Sequence, residues 1–227
     1  MKLTARLVAA LCVVTLLIGQ AYAQTPAKIG QVYNQFPTSV DASARYVIYS
    51  HGYIVEGTDP QPVSPKFGMY DFPAIKVALQ SPEYHVIAVQ RPAKTEPFAY
   101  AKQLALEVQS LINAGVAAEH ITLIGFSRGA ALTMMASSEL QNPKLNLVIM
   151  AGCAGLVHSN QTIAPAGRIL SIYETSDEVG SCQDIVARGK NVAEFNEVAI
   201  STGKSHGAFY LPRDEWLAPL RDWIKVQ

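Results

Sequence analysis

The sequence predicts an α/β chain with a mostly parallel central sheet and helices on both of its faces. Three observations carry that expectation. Six short, near-continuous apolar runs recur along the chain, segments with helical spacing separate them, and polar residues suited to chemistry follow the ends of several runs. Apolar runs of this length suit strands buried on both faces, and strands alternating with helices imply a parallel sheet. In such sheets ligands gather at the carboxyl ends of the strands.

The amino-terminal segment stands apart from this pattern. Lys2 and Arg6 open it, an apolar stretch runs from Leu7 to Ile18, and Ala21-Tyr22-Ala23 precedes Gln24. Basic start, apolar middle and small-x-small end are the parts of a secretory signal peptide. The stretch is shorter than the roughly 20 apolar residues that cross a bilayer, so it reads as a cleaved signal and not as a stable membrane anchor. Cys12 follows Leu11, where a lipoprotein signal needs a small residue. Cleavage after Ala23 would leave residues 24–227 as a single domain, exported to the periplasm or the medium. Without Lys2 and Arg6, 16 basic residues face 18 acidic ones. That balance, with no basic block, gives no footprint for nucleic acid. The apolar fraction excludes disorder, and nothing in the sequence bears on oligomeric state.

The expected strands lie at 45–50, 84–90, 120–125, 145–150, 168–173 and 195–200. Helices are expected at 71–80, 101–112, 130–140 and 213–225. The second is the clearest, with Ala101, Leu104, Ala105, Val108, Leu111 and Ile112 on one face and Gly115 as its stop. No repeat or linker divides the domain.

Gly125-Phe126-Ser127-Arg128-Gly129 sits where a strand runs into a helix. A G-x-S-x-G pentad there forms a sharp, strained turn that lifts the serine hydroxyl above the sheet. Side chains at 125 and 129 would collide across the turn, which calls for glycine. A serine hydroxyl also needs a base to take its proton and a carboxylate to orient that base. Downstream, Asp177 lies a few residues past the strand at 168–173, with Glu174 and Glu178 as rivals and Asp184 further off. His206 follows the next strand in Gly203-Lys204-Ser205-His206-Gly207. His158 precedes Asp177 and breaks the order serine, acid, histidine, while His85 and His120 lie within or at the foot of strands. Two N–H groups suit an oxyanion hole: Arg128, after the nucleophile, and Tyr53, in the Ser50-His51-Gly52-Tyr53 turn. His51 is better suited to a structural hydrogen bond than to a second base.

With these residues in place the chain resembles the α/β-hydrolase superfamily across nearly all of residues 24–227. The resemblance implies a Ser127-Asp177-His206 triad, an acyl-enzyme intermediate, and no cofactor or metal. Larger relatives insert a helical lid in the region that 153–167 occupies here, and those residues leave room for a minimal lid at most. A pocket wall is then expected from the Pro-rich loop 54–69, too long for a plain connector, with Gly52, Tyr53, Phe67 and Tyr70 as lining candidates. Tyr70 is equally suited to the core. Cys153 and Cys182, an even pair in an exported chain, are expected to form a disulfide. In this strand scheme the bond would tie the Asp177 loop to its neighbour. The reading that follows is an exported serine hydrolase acting on small-molecule carboxylic esters with small or medium acyl groups. A peptidase or amidase of the same fold is the first alternative, and a non-catalytic exported binding protein the second.

Overall fold

All six apolar runs become strands of one sheet in the computed structural model, which describes residues 30–225; the expected signal peptide lies outside them. The large elements are β2 (Tyr46–Ser50), α1 (Phe72–Ala78), β5 (His85–Ile87), α2 (Pro97–Asn113), β6 (Ile121–Phe126), α3 (Arg128–Leu140), β7 (Asn146–Met150), β8 (Gly167–Glu174), β9 (Val192–Ile200) and α6 (Asp214–Lys225). Short pieces complete them: β1 (Val32–Tyr33), the hairpin β3–β4 (Val63–Ser64 and Gly68–Met69), α4 (Gly155–Ser159) and α5 (Gln183–Val186). Each is five residues or fewer, too short to leave a periodic signature in sequence.

The sheet runs β1-β5-β2-β6-β7-β8-β9, and every neighbouring pair is parallel. The chain leaves β2 toward β5, crosses back to β6, and then continues through β7, β8 and β9. The direction therefore reverses between β2 and β6. A crevice opens at such a switch point outside the carboxyl ends of the strands. The His51-Gly52 turn and Ser127 sit at those two ends.

Alternation along each strand divides the core into two layers. Ile48, Leu123, Leu147 and Ile169 pack with α2, α3 and α5, while Val47, Ile124, Val148 and Leu170 pack with α1 and α6. Both faces are covered, which is why the runs read as continuously apolar. In α6, Trp216, Leu217, Leu220, Trp223 and Ile224 are buried at helical spacing. α2 starts on Pro97 with the Glu96 carboxylate accepting from the N–H groups of Phe98 and Ala99. The run at 84–90 pairs only over His85–Ile87 because the chain then leaves the sheet, and the Arg91 N–H goes to His51 Nε2 at 2.8 Å.

Candidate active site

The strand-to-helix turn at Ser127 is built by close approach of backbone to backbone. Ser127 has φ 53° and ψ −119°, a strained conformation for a residue with a side chain. A Cβ on Gly125 would lie 2.4 Å from the Gly129 carbonyl oxygen and 2.5 Å from Ala130 Cα. That is the collision across the turn expected from sequence. Gly129 answers to a different constraint: its Cβ would lie 1.9 Å from the Ser50 carbonyl oxygen, in the neighbouring strand β2. Gly152, after β7, is pressed on Ala130, with 2.2 Å between the two Cβ positions. Three glycines thus let α3 start directly against the sheet. The Ser127 N–H donates to the Met150 carbonyl at 2.9 Å, fixing the turn to β7.

Asp177 and His206 meet Ser127 from the β8–β9 edge. Ser127 Oγ lies 2.8 Å from His206 Nε2, and His206 Nδ1 lies 2.6 Å from Asp177 Oδ2. With the ring proton on Nδ1, the imidazole donates to the carboxylate and accepts from the serine hydroxyl. Asp177 is nearly sealed from solvent and His206 only partly so. His206 lies in a 3₁₀ turn, Ser205–Phe209. Its ring packs on Phe126 at 4.9 Å and on Phe67 at 5.9 Å between centroids.

Glu174, the first of the rival carboxylates, is engaged elsewhere. It is fully buried, and the hydrogen bonds to its carboxylate come from groups other than the imidazole. Its carboxylate accepts from the Ser176 N–H at 2.7 Å and hydroxyl, the Thr202 N–H at 2.8 Å and hydroxyl, and the Gly203 N–H at 2.9 Å. Burial alone would raise its pKa. The hydrogen bonds from Ser176, Thr202 and Gly203 outweigh burial and hold it down at about 2. Glu174 thereby ties the loop carrying Asp177 to the loop carrying His206. Nothing in the sequence distinguished this clamp from a rival acid.

His51 is the structural group that sequence suggested. Its Nδ1 bonds the Gly52 carbonyl at 2.8 Å, and its Nε2 accepts from the Arg91 N–H. Burial first, and the Arg91 charge second, lower its pKa to about 3, so it stays neutral near pH 7. Arg91 is itself fully buried, donates to the His51 carbonyl, and shares Glu56 Oε1 with Arg128 at 3.4 and 2.8 Å. The Arg128 guanidinium also donates to the Thr95 carbonyl and lies 5.3 Å from the centre of the Tyr53 ring. The two candidate oxyanion donors, Tyr53 and Arg128, therefore touch through their side chains. Both open helical turns, where N–H groups lack intrahelical acceptors. Glu56 and Arg91 were missed from sequence because no motif marks them.

None of the four residues considered for the pocket wall lines the cavity at Ser127, and Tyr70 takes the core position that the sequence offered as its equal alternative. Tyr70 is fully buried, with its hydroxyl 2.6 Å from that of Tyr49, and belongs to the core. Gly52 is buried beneath Phe126, whose ring a Cβ would meet at 3.0 Å. Packing, and not access to a ligand, requires glycine there. Phe67 stands behind His206 and lines a different groove. The cavity of about 260 Å³ at Ser127 is walled instead by Pro97, Ala131, Leu132, Leu156 and Val179. Leu156 comes from α4, the only helix within 153–167 among the described residues.

Cys153 and Cys182 form a disulfide with 5.1 Å between Cα atoms. It fastens the segment after β7 to the entry of α5 and closes the stretch that holds Asp177. Among the described residues, no group of three His, Cys, Asp or Glu side chains is placed to hold a metal ion, and no helix is long and apolar enough to cross a membrane.

Comparison with known proteins agrees with this architecture. The phospholipase/carboxylesterase family matches over residues 94–188, which include Ser127 and Asp177 and stop short of His206. No curated protein matches by sequence. Among solved structures, SOBER1 of Arabidopsis thaliana is 14% identical with a TM-score of 0.54, over 80% of this chain and 98% of its own. RedJ, a thioesterase from the prodiginine pathway of Streptomyces coelicolor, is 12% identical with a TM-score of 0.55, over 82% and 91%. YbtT, a type II thioesterase from the yersiniabactin pathway, is 12% identical with a TM-score of 0.52, over 82% and 94%. The chain has the α/β-hydrolase fold.

Proposed function

We propose that this α/β-hydrolase-fold protein is an exported serine hydrolase that cleaves small-molecule carboxylic esters through Ser127, His206 and Asp177. The observation that carries the reading is the continuous relay from Ser127 Oγ through both nitrogens of His206 to Asp177, on a serine held in a strained backbone conformation. His206 Nε2 takes the hydroxyl proton as Oγ attacks the ester carbonyl, and Asp177 stabilises the imidazolium that results. The N–H groups of Arg128 and Tyr53 are the proposed donors to the oxyanion. Collapse expels the alcohol, which takes its proton from His206. Water, activated by the same histidine, then hydrolyses the acyl-enzyme.

The apolar cavity of about 260 Å³ beside Ser127 supports a small or medium acyl group. Ligand pockets commonly start near 300 Å³, so a long chain would have to leave the cavity. The fold, the partial family match and the small α4 in place of a large lid support a hydrolase that is not activated at lipid interfaces. Active-site labelling with a fluorophosphonate is the test. The wild type should label and turn over 4-nitrophenyl acetate and butyrate, whereas Ser127→Ala should do neither. A folded wild type that resists labelling would overturn the reading, and preference for anilides over matched esters would move it to an amidase.

A further inference from the structure

His206 lines the cavity at Ser127, its chain neighbours Ser205 and Gly207 line a second groove, and the chemistry of the two differs. The groove, about 490 Å³, is lined by Lys66, Phe67, Met69, Lys204, Tyr210 and Arg213 among others. No acidic residue lines it, although the whole chain has as many acidic as basic residues. Among the described residues none of its three cations reaches a carboxylate. The Lys66 ammonium rests over the Phe67 ring at 5.0 Å. Arg213 Nε is buried with no hydrogen-bond partner, so the guanidinium enters the groove wall without an internal counter-charge. Three like charges around a partly apolar cleft focus a positive potential that an incoming anion relieves. The cavity at Ser127 has no such character, because its one cation, Arg128, is occupied by Glu56 and the Thr95 carbonyl.

Position gives the groove its role. Ser205 and Gly207 line it and flank His206 in the chain, and the Phe67 ring is shared between the groove and the His206 ring. A Cβ on Gly207 would meet Phe67 Cβ at 3.0 Å, so the two segments are closely pressed. When the tetrahedral intermediate collapses, the carbon–oxygen bond breaks, its electron pair goes to the leaving oxygen, and that oxygen takes the proton from His206 Nε2. The leaving oxygen must therefore face the imidazole, and the alcohol half of the ester extends past His206. Resting on the triad reading above, we propose that the Lys66-Lys204-Arg213 groove is an anion subsite selecting esters whose alcohol half bears a carboxylate or a phosphate.

The test compares 3-acetoxybenzoate and 3-acetoxyphenyl phosphate with the neutral isostere 3-acetoxybenzamide. At low salt kcat/KM should be at least about tenfold higher for one or both anionic esters, the larger gain showing whether carboxylate or phosphate is preferred. The advantage should shrink toward one in about 0.5 M salt, as exposed charges are screened. Lys66→Gln combined with Lys204→Gln, both at exposed positions, should lower the anionic-to-neutral ratio, and Arg213→Gln should lower it again. Equal kcat/KM for all three esters, or a ratio unchanged in the variants, would overturn the proposal. If no ester is hydrolysed and Ser127 fails to label, the triad reading falls and the groove is judged by binding alone. Calorimetry on Ser127→Ala should then show 3-hydroxybenzoate or 3-hydroxyphenyl phosphate binding at least about tenfold tighter than 3-hydroxybenzamide, with the difference lost in the double lysine variant. Indistinguishable binding of the three would sink the subsite.

Discussion

The Ser127 turn and the Asp177–His206 pair that faces it are held by different forces. On the Ser127 side, backbone meets backbone: Gly125, Gly129 and Gly152 each occupy a spot where a methyl group would overlap a neighbour by an ångström or more. On the Asp177–His206 side the glycines are less crowded: a Cβ on Gly180 or Gly203 would meet nothing within 4 Å, and one on Gly207 would touch Phe67 Cβ at 3.0 Å. There the geometry rests on the buried Glu174 carboxylate and on the Cys153–Cys182 bond. Ser127 is thus positioned by sterics, which respond to neither pH nor redox state, and Asp177 and His206 by ties of which one responds to pH and the other to redox state.

The largest effect should come from breaking the steric side. Gly129→Ala places a Cβ 1.9 Å from a backbone oxygen of β2, which no rotamer change relieves. A loss of about 4 kcal/mol or more is expected, in the range reserved for severe overpacking, read as a collapse of the urea midpoint. A midpoint within error of wild type would mean that the α3–β2 approach is looser than described. Next comes the disulfide. Closing a stretch with 29 residues of separation should contribute about 3 kcal/mol. Reductant should lower the thermal midpoint of the wild type and leave that of Cys153→Ser combined with Cys182→Ser unmoved. Equal wild-type midpoints with and without reductant would remove the bond from the comparison.

The same division explains what the sequence made legible. Steric demands write themselves as residue types, so the pentad announced both the turn and its serine. The six strands were visible because a sheet covered on both faces needs unbroken apolar runs. His206 and Asp177 were found by order and by strand ends. What stayed hidden is polar and three-dimensional. Glu174 looked like a rival acid because only the fold reveals that its oxygens meet Thr202 and Gly203. Glu56 and Arg91 lie 35 residues apart and carry no local pattern. The cavity wall was misplaced for a related reason: Phe67 was expected to face ligand yet backs the histidine, while Tyr70, suited in sequence to wall or core, fills the core.

Glu174→Gln gives the smaller and more specific test. Glutamine keeps one acceptor oxygen for Thr202 and Gly203 but turns an amide group toward the Ser176 N–H, setting donor against donor, while the Ser176 hydroxyl can rotate to accept. The expected loss is about 2 kcal/mol at pH 7, the scale of a broken hydrogen bond to a charged group. A drop in kcat on the order of tenfold should accompany it as the base loosens. The pH dependence then separates charge from mere packing. In the folded chain Glu174 stays ionised down to about 2, against 4.5 for an ordinary glutamate. A carboxylate depressed on folding contributes fully above the unfolded value and loses that contribution as pH falls toward the folded one. Wild type should therefore lose stability between pH 4.5 and about 2 more steeply than Glu174→Gln, and the gap between their thermal midpoints should narrow across that window. A gap that stays constant as pH falls would show that position 174 acts through shape alone, and the Asp177–His206 edge would then resemble the Ser127 turn more closely than its hydrogen bonds suggest.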